Sequence, residues 1–392
     1  VGSRGPAALL ASLIEKVTPG SAEEARIQER LSLALVLESR NTATAQIAAE
    51  RCLEIAAQLD DRDQESAGLA QMALVYFSEA NWEEVLDYAD RAASMAAESG
   101  NLQAQVRALV FKSIAVGCLS APDLHRKAAK EALDLAERIR ERTYMFMGSM
   151  EMLTANINVG KSGRELFDDV PDLVLSRVDD ANILGEFHYG EFRTREVILD
   201  ECKQIVEDRV PSNTQTAIQP LIAALAGRIS GEKEILDVAL EAAEHLLDAD
   251  GLKSDQILLH LSRLVVAAES RDVGLADNAL EKLSSLPTNA PGSPFGFACS
   301  DRLVGLGYAI AGNADAAEAS FNKALDWCRE NDSILENAWA AADFVEFLID
   351  RDSPGDREKP TELQDKAIAI ATKLGMNPLL ERVLGQREIL KA

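Results

Sequence analysis

Helical segments in this chain are interrupted at a nearly constant interval, and that interval limits the fold more than any single motif does. Short breaks fall near Asn41, Asn81, Pro122, Gly160, Gly190, Gly231, Asp272, Gly312 and Gly355. Apart from one shorter step around Gly190 they are spaced by about 40 residues, the range of helical-hairpin repeats. Each break is followed by a segment with Ala or Leu at three- and four-residue spacing, such as "WEEVLDYADRAASMAAE" and "ADAAEASFNKALDWCRE". Small residues at that spacing let a second helix approach closely, while Glu, Lys and Arg occupy the opposite face. One hairpin cannot bury its apolar stripe alone, so neighbours must stack. The spacing predicts an all-α chain, a right-handed superhelical solenoid of about nine antiparallel helix pairs.

Length and composition agree. A chain of 392 residues outgrows a single packed core, so it divides into domains or extends as a repeat array. Abundant Ala and Leu, 27% charged residues and only 5% aromatics favour helix nearly throughout. Three stretches are expected: repeats over 1–160, a less regular middle over 161–290, and repeats with a terminal helix over 291–392. The middle contains "FDDVPDLVLSRVDD" and "DRVPSNTQ", whose helical spacing is irregular. "LPTNAPGSPFGF", Leu286 to Phe297, holds three prolines and two glycines and reads either as a break between solenoid segments or as an ordered crossover.

The balance of 65 acidic against 40 basic residues gives a net charge of −25, which repels nucleic-acid phosphates and anionic lipid heads. Neither direct nucleic-acid binding nor membrane association is expected. Five scattered cysteines, Cys52, Cys118, Cys202, Cys299 and Cys328, form no C-x-x-C pair, which points to buried thiols in a reducing compartment. No run approaches the ~20 apolar residues of a membrane helix, and the start is too weakly apolar for a signal peptide, so a cytoplasmic location is expected. The opening "VGSRGP" reads as a domain boundary or cloning remnant, and the chain is expected to be one piece of a larger protein.

Few residues point to chemistry. "ANINVGKS" ends in Gly160, Lys161 and Ser162 like a phosphate-binding loop, but Ala155 stands in place of the first glycine and the interior is Asn, Ile, Asn and Val. A working loop follows a strand and turns its N–H groups inward, and Gly160 falls where the repeat already requires a turn. A nucleotide hydrolase using Lys161 is the enzyme alternative. "DANILGEFHYGE" places Asp180, Asn182, Gly185 and Glu191 as in a calcium loop, with Leu184 where an oxygen ligand is needed. His125, His188, His245 and His260 share no metal-binding spacing. No catalytic residue, cofactor or metal is expected. A solenoid offers the first helix of each pair to a concave groove, and projection puts Phe77, Arg228 and Arg302 near it. The plainer alternative pairs such an arginine with a neighbouring carboxylate such as Asp301.

In "LVGLGYAIAGNADAAEASFNKAL", Gly305 precedes Tyr308 by three, Gly312 by seven, Ala317 by twelve, Phe321 by sixteen and Ala324 by nineteen. Ala73, Tyr76, Ala80, Ala89 and Ala92 echo it around Asn81. On these residues the chain resembles a tetratricopeptide-repeat solenoid with longer helices than the family's consensus. Over Asp301 to Leu384 it resembles the C-terminal repeats of bacterial signalling ATPases, the LuxR and MalT kind of transcription regulator and the class III nucleotide cyclases. The resemblance implies a non-catalytic sensory or autoinhibitory scaffold whose partner is a protein, a peptide or another domain of the parent protein. The alternative it allows is a small-molecule effector enclosed by the superhelix.

Overall fold

The computed structural model describes residues 5–38, 41–161, 163–171, 185–210, 214–247, 251–287, 290–293, 296, 298–353 and 358–391. Its first half comprises α1 (Pro6–Ile14), α2 (Ala22–Leu37), α3 (Thr42–Leu59), α4 (Arg62–Ser78), α5 (Trp82–Ser99), α6 (Leu102–Leu119), α7 (Pro122–Ile139) and α8 (Arg142–Asn158). A 3-10 turn (Gly163–Phe167) and a helical stretch at 185–189 lead to α9 (Arg195–Glu207) and α10 (Thr214–Ser230). The second half continues with α11 (Lys233–Leu247), α12 (Lys253–Ser270), α13 (Val273–Ser284), α14 (Ser300–Ile310) and α15 (Ala314–Glu330). It closes with α16 (Ile334–Arg351), α17 (Glu358–Leu374) and α18 (Asn377–Lys391). Among the described residues there is no strand, and successive helices pack as neighbours in an all-α solenoid.

The expected breaks are the turns inside the helix pairs. Asn41 and Asp272 cap α3 and α13, their side chains accepting from the N–H groups of Thr44 and Leu275 at 3.0 and 2.9 Å. Gly160, Gly190, Gly231 and Gly312 sit at φ between 73° and 85°, the left-handed geometry that ends a helix without a Cβ penalty. Asn81 and Pro122 open α5 and α7. Gly355 lies outside the described residues.

Helices alternate between two rows. Even-numbered helices touch each other as well as their chain neighbours, α2 to α4 to α6 to α8 and then α10 to α12 to α14 to α16 to α18. They form the inner row. Thirteen of the eighteen residues of α6 are buried, against five of eighteen on α5; α16 and α15 repeat the contrast with thirteen of eighteen and four of seventeen. Such a helix is apolar around most of its circumference because it has no solvent face. The expectation of no membrane-length apolar run needs one amendment. By length and composition α6 is apolar enough to cross a bilayer, yet 72% of that stretch is buried inside the fold.

The two inner rows also meet. α4 touches α12 and α8 touches α16, so the two halves meet along their inner rows, while α10 touches α18 within the second half. One apolar core runs from Val36 to Val383. The described residues of the proline-rich loop cross this seam as a strap. Gly292 N–H donates to the Cys118 carbonyl at 3.0 Å, and Asn158 Nδ2 donates to the Gly296 carbonyl at 2.9 Å. Approach is so close that a Cβ on Gly292 would lie 2.9 Å from the Cys118 carbonyl oxygen, which is why glycine stands there.

Candidate functional site

Phe77, Arg228 and Arg302 lie on inner-row helices, as projected, but they do not line an open groove. Their exposures are 4%, 2% and 2%. The expectation is corrected for a physical reason: their side chains are taken up by neighbouring helices of their own half, Phe77 by α5 and α6 and the arginines by α12 and α16. Phe77 packs edge-on against Trp82, ring centroids 5.7 Å apart, and tilts against Phe111 at 5.6 Å.

The arginines belong to an interior ionic lattice. Asp343 of α16 is fully buried between them, 2.7 Å from Arg228 Nη2 and 2.8 Å from Arg302 Nη1. Arg302 also grips Glu336 with two parallel bonds, Nε to Oε2 at 2.9 Å and Nη2 to Oε1 at 3.0 Å. Arg228 bonds Glu269 and reaches Glu346, and Arg382 closes the set with bonds of 3.0 and 2.9 Å to the same two carboxylates. Asp301, the neighbour expected to neutralise an arginine, instead takes Lys323 at 3.1 Å. Three guanidinium groups and four carboxylates thus link α10, α12, α14, α16 and α18. Burial works against the charge on Arg228, but Asp343, Glu346 and Glu269 outweigh it and raise the pKa. Burial likewise opposes ionisation of Asp343, and Arg228, Arg302 and Arg382 hold its carboxyl below the usual range. The lattice is structural: its charges are spent on each other.

The phosphate-loop lookalike is the end of a helix. α8 occupies the place where a strand would be needed. Gly160 N–H donates to the Ile157 carbonyl and Lys161 N–H to the Asn156 carbonyl, at 2.8 and 3.0 Å, so neither points at a ligand. Lys161 Nζ pairs with Asp168 at 2.9 Å, and Ser162 lies outside the described residues. Asn156 and Asn158, unremarkable in sequence, are hooks: Asn156 Nδ2 holds the Leu166 and Asp168 carbonyls, and Asn158 holds the strap. In the calcium-loop lookalike, Asp180, Asn182 and Leu184 lie outside the described residues. Gly185 is helical, with Leu166 where its Cβ would be, and Glu191 pairs with Arg193 at 2.6 Å.

His125, His188 and His260 are buried. His125 and Glu151 meet at 2.8 Å, almost fully buried, and burial raises the Glu151 carboxyl. His188 Nδ1 accepts from Trp339 Nε1 at 3.1 Å, and burial, aided by nearby Arg302, lowers its pKa to about 3. His260 is lowered to about 4 by burial, Arg263 and Lys282. All five cysteines are buried and outside any disulfide, and burial pushes Cys52 up to about 11. Among the described residues no group of His, Cys, Asp or Glu could hold a metal ion.

An opening lies where the halves meet. A cleft of about 550 Å³ is walled by Thr42, Tyr76, Glu79, Asn81 and Trp82 from the first half and by Lys253 and Pro287 from the second. A smaller pocket of about 120 Å³ shares Trp82 and Pro287 with it and leads towards Leu261 and Val304. Lys253 Nζ pairs with Glu79 across the seam at 2.5 Å, and Thr42 Oγ1 donates to the same carboxylate. The cleft forms because α3, α5 and α12 begin there, so helix ends rather than helix faces supply its walls. A volume in the range of ligand pockets, with aromatic walls and a few polar groups, can hold a side chain or a small molecule. No sequence pattern marked it, since its residues come from five separate segments.

Fold and site define the class: an all-helical repeat protein with a cleft at the junction of its halves. No protein-family model matches the sequence, and no curated protein matches it.

Proposed function

We propose that this chain is a non-catalytic interaction and regulatory module that receives a partner in the cleft at the seam. One observation carries the reading: the cleft is walled jointly by the two halves, with the Lys253–Glu79 pair spanning it. An occupant touching both halves binds differently whenever they shift, which is the requirement for relaying a signal. The finer form of the proposal makes the repeats tetratricopeptide-like and the module a sensory or autoinhibitory arm of a larger bacterial signalling protein. The fit of the pattern residues supports it. A Cβ on Gly305 would lie 3.1 Å from the Phe321 ring, while Ala317, Phe321 and Ala324 are fully buried.

The test places a photo-crosslinking amino acid at Ala43, on the cleft wall, and another at exposed Glu281 on α13. Crosslinks to a discrete partner from position 43 alone are expected. Their absence, together with nucleotide turnover lost in Lys161→Ala, would reject the proposal. A second reading, a small-molecule effector in the same cleft, is favoured by the volume of about 550 Å³. An effector at a hundred times its dissociation constant stabilises the fold by about 2.7 kcal/mol, so melting curves across sugars and nucleotides separate the two.

A further inference from the structure

We infer that the cleft takes a cationic side chain, Lys or Arg, presented by an exposed segment of a partner protein. The inference rests on the proposal that the cleft is the partner site, and three features of the cleft point to it.

The first is its aromatic wall. Tyr76 lines the cleft and stacks on Tyr88, ring centroids 5.2 Å apart. The chain's own Arg91 lies over the Tyr88 ring at 5.0 Å, so this aromatic pair already accommodates a guanidinium on one member. Such faces attract cations through the ring quadrupole, more strongly when desolvated.

The second is charge. Glu79 and Glu83 line the cleft, Glu50 and Glu84 act on the Tyr76 phenol beside it, and Lys253 is the one cation among the described lining residues. Four carboxylates against one ammonium leave an excess of three negative charges, since Arg91 is matched by Asp87 at 3.1 Å. The net charge of −25 adds long-range attraction for a basic partner.

The third decides against the opposite ligand. The N-termini of α3, α5 and α12 all reach the cleft, each carrying about half a positive charge, and alone they would favour an anion. Glu79 already fills that role, taking Thr42 Oγ1 and Lys253 Nζ, and Glu83 and Glu84 lie in the first turn of α5. About +1.5 from three termini is smaller than the opposing −3, so the remaining field selects a cation.

The probe is a blocked pentapeptide, Gly-Leu-Arg-Leu-Gly, and its Lys, norleucine and Glu versions, titrated by calorimetry at low and high salt. The Arg and Lys peptides should bind about tenfold or more tighter than the norleucine and Glu peptides, and the preference should shrink in salt. Glu83→Gln and Glu84→Gln should each weaken the Arg peptide roughly threefold. Ala43→Trp, which fills the cleft from an exposed helix start, should abolish binding without lowering the melting temperature. Equal or tighter binding of the Glu or norleucine peptide, Arg-peptide binding that survives Ala43→Trp, or no binding of the basic peptides would overturn the inference. If crosslinks from position 43 still form while the basic peptides fail, the cationic preference is wrong and the partner cleft stands. If both fail, both are wrong.

Discussion

The inner rows of the two halves solve one problem in different ways. In the first half, polar contacts between inner helices are isolated: Arg107 of α6 takes Glu29 of α2 at 2.8 Å, and Gln71 of α4 takes Ser32 of α2 at 3.2 Å. Around them the row is apolar, with Met72, Ile114, Met152 and Leu153 essentially sealed from solvent. In the second half seven charged side chains on five helices form one connected network about Asp343. Apolar packing tolerates adjustment of one helix at a time, because dispersion and burial are non-directional. A buried ionic network fixes register, and it fails as a unit when one charge is left uncompensated. The first half is therefore expected to yield locally and the second cooperatively.

Asp343→Ala is the sharpest way to break that contrast. It removes the carboxylate that bridges two buried guanidinium groups, leaving Arg302 to Glu336 and Arg228 to Glu269 and Glu346, and should cost roughly 3–5 kcal/mol, read as a fall in denaturation midpoint. Replacing Arg302, Glu336 and Asp343 together by apolar residues of similar volume should recover most of the loss. A loss under about 1 kcal/mol for the single variant would mean that the network carries no such role.

Ile114→Ala tests the other side. Truncating this sealed side chain should cost about 2–4 kcal/mol through transfer and cavity formation, with no dependence on salt. Salt sensitivity at this position would undo the comparison.

The third expectation concerns pH. His188 is lowered to about 3 in the folded protein, against about 6.5 unfolded, so below pH 6.5 the unfolded chain binds a proton that the folded one refuses. Its contribution to stability is present above the unfolded value and is lost as pH falls, by about 1.4 kcal/mol per pH unit. Asp343 and Glu346, held below their usual values, add losses of the same sign at lower pH. Glu151, raised by burial, acts in the opposite direction. His188→Gln should therefore flatten the stability profile between pH 6.5 and 5, measured by urea titration at each pH.

Arg107→Met gives a smaller effect, on the order of 1 kcal/mol, since Glu29 keeps Arg30 at 3.2 Å when Arg107 is removed. A loss as large as that of Asp343→Ala would show that the first half also depends on ionic coupling.

Much of this architecture was legible in residue spacing. The turns at Asn41, Asn81, Pro122, Gly160, Gly190, Gly231, Asp272 and Gly312 follow from caps, helix starts and left-handed glycines, which are local properties. Helical periodicity is what put Phe77, Arg228 and Arg302 near a concave lining, and in the structure they stand on even-numbered helices. Their exposure did not follow, and neither did the partners of the arginines, which lie as far along the chain as Asp343 from Arg228. The nearly all-round apolar sequence of α6 carried a signal that this helix is covered on every side.

By itself the sequence determined an all-α chain, the positions of its turns and which face of each helix is apolar, because capping, backbone freedom and periodicity act over a few residues. Only the tertiary structure decided that the two inner rows close on each other, that the Gly292 strap crosses the ends of α6 and α8, and that a cleft opens between Glu79 and Lys253. Those outcomes depend on contacts between residues more than a hundred positions apart. Their geometry is set by the summed packing of the intervening helices, which no local pattern encodes.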